Sequence, residues 1–221
     1  MRKTVVSLAV VALCGALAAP ASAAGTDWHL RVFAAGFDPD TSETIADDVG
    51  GDTHIGGESD LGIGAGLEVQ FTDRFGFELG IMEGRPKVNL SADVPGFGQI
   101  VVSDATTTLV VCGDFLVHLT PASPTFDVYL GAGIANVSYG DLHYEVLDLS
   151  SFDVRVDDDL TWSVRAGLDI AFGRNSNWAA VGGLRYISSD LDLRQIDPPT
   201  SETVSVGSDI FNFTVGVAYS F

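Results

Sequence analysis

Apolar and polar residues alternate with a period of two in eight stretches of this chain, the period of a β-strand whose two faces meet different surroundings. In Asp60 to Phe71, Leu61, Ile63, Ala65, Leu67, Val69 and Phe71 share one face, and Asp60, Gly62, Gly64, Gly66, Glu68 and Gln70 the other. After Thr72-Asp73-Arg74 the pattern resumes, with Phe75, Phe77, Leu79 and Ile81 against Gly76, Glu78, Gly80 and Met82, so the two stretches predict a hairpin. Thr107 to Leu119 with Phe126 to Asn136 predicts a second hairpin, and Leu160 to Phe172 with Trp178 to Ser188 a third. Trp28 to Gly36 and Ile210 to Phe221 supply a strand at each end that can close the sheet. Connections alternate between about three to six residues and about 20, the spacing of short turns on one side and long loops on the other.

The apolar set is bulky, whereas the opposite set is rich in glycine and charge. That polarity suits a barrel in lipid, which must pair every backbone group within a closed sheet and face its apolar side chains outward. The expected fold is all-β: an eight-stranded antiparallel up-and-down transmembrane β-barrel with short periplasmic turns and long external loops. A soluble ligand barrel would turn its apolar face inward; the charged opposite face, the aromatic residues at strand ends and the terminal Phe221 all oppose it. Phe213, Val215, Val217, Tyr219 and Phe221 alternate up to that last aromatic and resemble the signal read by the outer-membrane assembly machinery. An even number of strands puts both ends of the barrel on one side, so Phe221 places the short turns in the periplasm.

The beginning of the chain adds export. Met1-Arg2-Lys3, an apolar run from Val5 to Ala19 and the small residues Pro20 to Ala24 are the basic, apolar and cleavage regions of a signal peptide. Residues 1–24 are therefore expected to be a leader and 25–221 the barrel domain. Bulky Leu13 before Cys14 disfavours lipidation there. Cys112 is then the one cysteine of the mature chain, so no internal disulfide can form. The mean hydropathy is +0.27, yet no later segment approaches the roughly 18 apolar residues of a membrane helix.

Loss of Arg2 and Lys3 moves the formal charge from −19 to −21, which excludes nucleic acid as a partner. The acids gather between the strands, in Asp38 to Asp60, Asp141 to Asp159 and Asp190 to Asp209. Asp47, Asp48 and Asp52, and Asp157, Asp158 and Asp159, are the densest groups and could hold Ca²⁺ or Mg²⁺. No complete calcium loop is present, and solvated carboxylates are the plainer expectation, so neither metal nor cofactor is expected.

Leu61 to Leu79 (LGIGAGLEVQFTDRFGFEL), Phe126 to Ile134 (FDVYLGAGI), Gly167 to Leu193 and the ending VGVAYSF resemble the OmpW family of small outer-membrane barrels. The likeness runs in order over the whole mature chain, including WHLRVFAAGF near its start. It implies passive passage of small hydrophobic molecules from outside into the barrel and sideways into the membrane. One departure is local: the family has a proline pair entering the fourth strand, and here Ala105 to Leu109 is ATTTL.

An eight-stranded barrel is just wide enough for side chains to fill. Strand parity turns Arg31, Arg165 and Arg185 inward with Glu68, Glu78 and Asp169, a set expected to pair as a polar plug, because a buried charge needs a partner. His29, Asp114, His118, Asp127 and Asn212 share that parity. Phe33, Val110, Leu116 and Tyr129 could line an apolar ligand funnel above the plug. Catalysis is not expected: no His-x-Ser pair exists, and His118 with Thr120 is the nearest imitation of a base and nucleophile. The alternative to a channel is a structural or adhesive surface barrel whose acidic loops contact divalent ions, lipopolysaccharide or another surface. Outer-membrane lipid and lipopolysaccharide are expected around the barrel in either case, and the strand pattern carries no information on oligomeric state.

Overall fold

The computed structural model describes residues 26–40, 42–46, 52–94, 98–123, 125–146, 150–173, 176–197 and 199–221. The expected leader and Asp47 and Asp48 lie outside them. The first eight strands are β1 (Asp27–Asp40), β2 (Ser42–Ala46), β3 (Asp52–Glu58), β4 (Asp60–Thr72), β5 (Phe75–Gly84), β6 (Lys87–Val94), β7 (Gly98–Ala105) and β8 (Thr108–His118). The remainder are β9 (Phe126–Tyr139), β10 (Leu142–Val146), β11 (Ser150–Val156), β12 (Asp159–Ala171), β13 (Trp178–Ile187), β14 (Asp190–Asp197), β15 (Pro199–Gly207) and β16 (Asp209–Ser220).

Eight of these close an antiparallel barrel in the order β1-β16-β13-β12-β9-β8-β5-β4. They are the eight stretches whose alternation predicts strands, with no end displaced by more than four residues. The longest displacement is in β1, which continues past Gly36 to Asp40 because its ladder with β16 runs on to Asp40↔Asp209. The expected long loops are a correction to the sequence reading, since most of their described length is strand. β2-β3-β6-β7 form one four-stranded sheet and β10-β11-β14-β15 another. Each sheet prolongs four neighbouring barrel strands, so the barrel splits at its upper end into two leaves. Seven of the eight passages leave the ladder for one or two residues, at Ser59, Arg85–Pro86, Thr106–Thr107, Gly140–Asp141, Asp157–Asp158, Ser188–Ser189 and Ser208; the eighth falls at residue 41, outside the described set. Polar groups tie these breaks together. Thr106 Oγ1 donates to Gly140 O (2.8 Å), Ser208 N to Ser189 O (2.7 Å) and Arg85 N to Asp60 Oδ2 (2.8 Å).

The outer face of the barrel carries exposed apolar side chains all round, among them Leu61, Ile63, Phe77, Phe115, Ile134, Leu184 and Val215. In water such a belt would be an aggregation surface; in lipid it is the solvated one. Aromatic clusters bound it at both edges. Phe71, Phe75 and Phe115 pack together at the short-turn end, as do Trp178, Tyr219 and Phe221. Trp162, Tyr186 and Phe211 pack at the leaf end. Trp178 and Tyr186 lie on one strand, about 27 Å apart along it at the usual strand rise, enough for a tilted strand to cross the hydrocarbon.

Above the membrane the polarity of the wall reverses. In the leaves Ile55, Val88, Leu142, Tyr144, Val154, Leu191 and Val206 point inward and are buried, while His54, His143, Arg155, Asp192 and Arg194 face outward. These inward residues join Phe37, Met82, Val110, Tyr139, Ile187 and Ile210 of the upper barrel in one apolar core.

Candidate functional site

Below that core the lumen is crossed by charge. The ladder registers set like charges side by side. Glu68 pairs with Glu78 across β4 and β5, Glu78 with Asp114 across β5 and β8, and Arg165 with Arg185 across β12 and β13. Neighbouring like charges repel, and the counter-charges come from other strands: Glu68 meets Arg31 on the adjoining β1, while Arg165 and Arg185 reach across the lumen to β5 and β8. Arg31 on β1 is the hub: its Nη1 donates to Glu68 Oε2 (2.5 Å) and Glu78 Oε2 (2.6 Å), and its Nη2 to Asp169 Oδ2 (2.7 Å). Arg165 donates to Glu78 and to the Tyr129 hydroxyl (2.9 Å), and Arg185 to Asp114 Oδ2 (2.6 Å). Ser163 ties the second pair, donating to Asp114 Oδ1 at 3.1 Å.

Tyr129 is wedged between the two large cations. The guanidinium carbons of Arg31 and Arg165 lie 4.9 and 5.1 Å from its ring centroid, the geometry of a cation on an aromatic face. Room for the ring comes from β12, where a Cβ on Gly167 would fall inside it. His118 extends the network toward the short turns, with Nε2 2.8 Å from Glu68 Oε1 and Nδ1 2.5 Å from Asp127 Oδ2. One layer lower, His29 bridges Ser220 Oγ (2.8 Å) and Gln70 Oε1 (3.1 Å).

The six expected plug residues thus lie in one layer, but not with the expected partners throughout. Arg185 pairs with Asp114, whose role in the pairing the sequence reading missed. Leu116 and Tyr129 are corrections to the funnel: Leu116 packs in the charged layer beside Gly131 and Arg165, and Tyr129 is part of it. Phe33 and Val110 do lie above it, Val110 fully buried in the apolar core and Phe33 packed against it. A cavity of about 20 Å³, room for about one water, remains between Arg31, Arg165, Arg185, Phe33 and Met82. The layer is a floor.

The wall of the eight-stranded barrel is closed. The β5–β8 ladder runs unbroken from Phe75↔Val117 to Gly84↔Thr108, along the edge that the ATTTL segment enters. On the terminal strand Phe213, Val215, Val217 and Phe221 point outward and are exposed, and Tyr219 packs between Trp178 and Phe221. Asp52 opens β3. Asp157 N donates to Asp192 O, and Asp159 Oδ2 accepts from Asp190 N; among the described residues no group of three or more acids, histidines or cysteines is placed to hold a metal. Thr120 Oγ1 accepts from Val128 N (2.8 Å), so the hydroxyl nearest His118 in sequence serves the turn.

No curated protein sequence matches the chain. Among solved structures, the outer membrane protein OprG from Pseudomonas aeruginosa is similar in fold, with a TM-score of 0.66 at 17% identity over 89% of this chain and 96% of that one. The outer membrane protein AlkL gives 0.53 at 19% identity over 92% and 95%, and the attachment invasion locus protein Ail of Yersinia pestis 0.51 at 10% over 89% and 99%. These likenesses are of fold, and they agree with the resemblance to OmpW-type barrels. The profile of the outer membrane protein beta-barrel domain matches residues 7–221, and the chain belongs to that family of bacterial outer-membrane barrels.

Proposed function

We propose that this barrel is a passive channel for small hydrophobic molecules, exported with residues 1–24 as its signal, folded by the assembly machinery that reads its last strand, and surrounded by outer-membrane lipid. The observation that carries this reading is the continuous apolar core from the leaves to Met82 and Val110, resting on a charged floor. An apolar solute drawn between the leaves gains by leaving water, and at the floor it meets paired charges that it cannot replace. Its way on is sideways. Phe33 and Met82 line both the cavity above the floor and a groove of about 470 Å³ on the lipid-facing side, walled by Leu30, Val32, Ala34 and Ile63. The ladder partners of Phe33 are Gly64 and Gly216, so the wall there is backbone with little side chain. The sideways step is therefore assigned to Phe33, away from the complete β5–β8 edge.

Uptake of radiolabelled n-octane by cells with and without the protein tests the reading. Faster uptake with the protein, reduced when Gly64→Leu fills the wall beside Phe33, is expected. Equal uptake in the two strains would overturn it.

A further inference from the structure

Three buried side-chain oxygens among the described residues have no hydrogen-bond partner: Asp169 Oδ1, Asn212 Oδ1 and Thr108 Oγ1. The first two are acceptors in or beside the charged floor, where acceptors are plentiful. Thr108 is different. It opens β8 at the ring of strand breaks and is fully buried. It lines a second cavity of about 20 Å³, with Phe37, Val88, Leu191 and Ile210 as apolar walls and Thr106, Tyr139 and Ser208 as polar ones. Those polar neighbours are engaged elsewhere: Thr106 Oγ1 donates to Gly140 O, Tyr139 OH meets Ser189 Oγ at 3.0 Å, and Ser208 also has a partner. A space of this size takes one small polar group, and the Thr108 hydroxyl can both donate to it and accept from it.

We infer that this cavity is the polar subsite of the solute pathway, taking the terminal hydroxyl of a neutral aliphatic alcohol whose chain displaces apolar side chains between the leaves. The inference rests on the uptake reading and narrows its substrate class. A pure alkane leaves Thr108 unpaired. A carboxylate fares worse, because it would be buried without a cation: Lys87 lines the cavity, but its exposed Nζ is held 3.5 Å from Glu58. The formal charge of −19 repels anions further. The competing occupant is a single structural water.

The test compares the protein with its Thr108→Val variant in lipid nanodiscs, reading the thermal stabilisation given by 1-octanol, n-octane and octanoate, since a ligand that binds the folded state raises its melting temperature. Valine removes a hydroxyl that has no partner, so the variant should melt no lower than the parent. Thr108→Ser and Thr108→Ala, with and without the hydroxyl, give the same comparison if valine is not accommodated. Loss of one hydrogen bond should weaken 1-octanol binding about 2- to 10-fold, leave n-octane unchanged, and find octanoate weak throughout. Equal responses of parent and variant to 1-octanol would mean a water site only and would overturn the inference, as would octanoate binding as tightly as 1-octanol. Cellular uptake of both octane and octanol separates the two claims. If the nanodisc difference appears while neither solute depends on the protein for uptake, the transport reading fails and the subsite stands.

Discussion

The lower barrel and the leaves are made by strands that continue one another, and they obey opposite rules. In the lower barrel the wall is apolar outside and charged inside; past the ring of breaks it is charged outside and apolar inside. The reason is the medium. Lipid accepts Leu61 and Val215 and leaves the lumen to hold what lipid would reject, whereas water above the membrane accepts Asp192 and Arg194 and drives Leu191 and Val206 together. The two interiors are therefore held by different forces, one by geometry-dependent ion pairs and the other by non-directional burial. Substitutions that separate those forces should act on one half at a time.

The largest effect is expected at Arg31. Arg31→Met removes the one cation shared by Glu68, Glu78 and Asp169, leaving buried carboxylates short of a partner, a loss of about 3–5 kcal/mol. Urea unfolding in detergent or lipid should show it in the barrel, while proteolysis of the leaves stays as in the parent. Unchanged barrel unfolding would mean that the floor is held by something other than this hub.

The converse change is Leu142→Ala in the second leaf, where the side chain is almost completely buried in the apolar core. Truncation should cost at least about 2 kcal/mol, and hydrogen exchange should rise in β10, β11 and β14 with the barrel ladders still protected. If exchange rose equally in β12 and β13, leaves and barrel would be one cooperative unit and the contrast between them would fail. Gly167→Ala ranks below it. A methyl group there intrudes on Tyr129, and the displaced ring would loosen its contacts with Arg31 and Arg165 at a cost of about 1–3 kcal/mol, seen as a lower unfolding midpoint. An unaltered midpoint would show that Tyr129 can move freely within the floor.

This inversion also decides what the sequence discloses. The lipid-facing alternation is strong in Leu61 to Phe71 and Leu160 to Phe172, and these became β4 and β12 with ends shifted by a residue. The leaf strands are short, and the meaning of their apolar positions is reversed, so a template of apolar-outward strands passes over them. Their phase also slips at some breaks. Inward Tyr139 is followed by inward Leu142, three residues on, whereas Ile187, Ser189 and Leu191 keep step. In the floor, parity alone identified which charges point inward. It did not identify partners, because pairing across a lumen depends on height, and height comes from ladder register. That is why Arg185 met Asp114 and why Tyr129, apolar by composition, stands between two guanidinium groups. The subsite at Thr108 left no pattern at all, since a threonine without a partner looks like any other threonine until its surroundings are known.

The smallest effect sharpens the comparison most directly, because it sets an exposed ion pair against the buried ones. On the outer face of the first leaf, Glu58 accepts from Asn89 Nδ2 (3.0 Å) and lies 3.5 Å from Lys87 Nζ, with both charged side chains more than half exposed. The hydrogen bond from Asn89, and then the charge of Lys87, hold the Glu58 carboxyl below its ordinary range. A lowered folded-state value gives stability that is present above the ordinary glutamate range and lost as pH falls through the lowered one. In water and salt that contribution is screened, so it should be invisible in the unfolding midpoint and legible only in the titration of Glu58 itself by NMR. Lys87→Met should raise the Glu58 midpoint part of the way back, Asn89→Ala should raise it further, and added salt should erase the difference that Lys87 makes while sparing the one from Asn89. A midpoint indifferent to both substitutions would mean that the pair does not persist in solution.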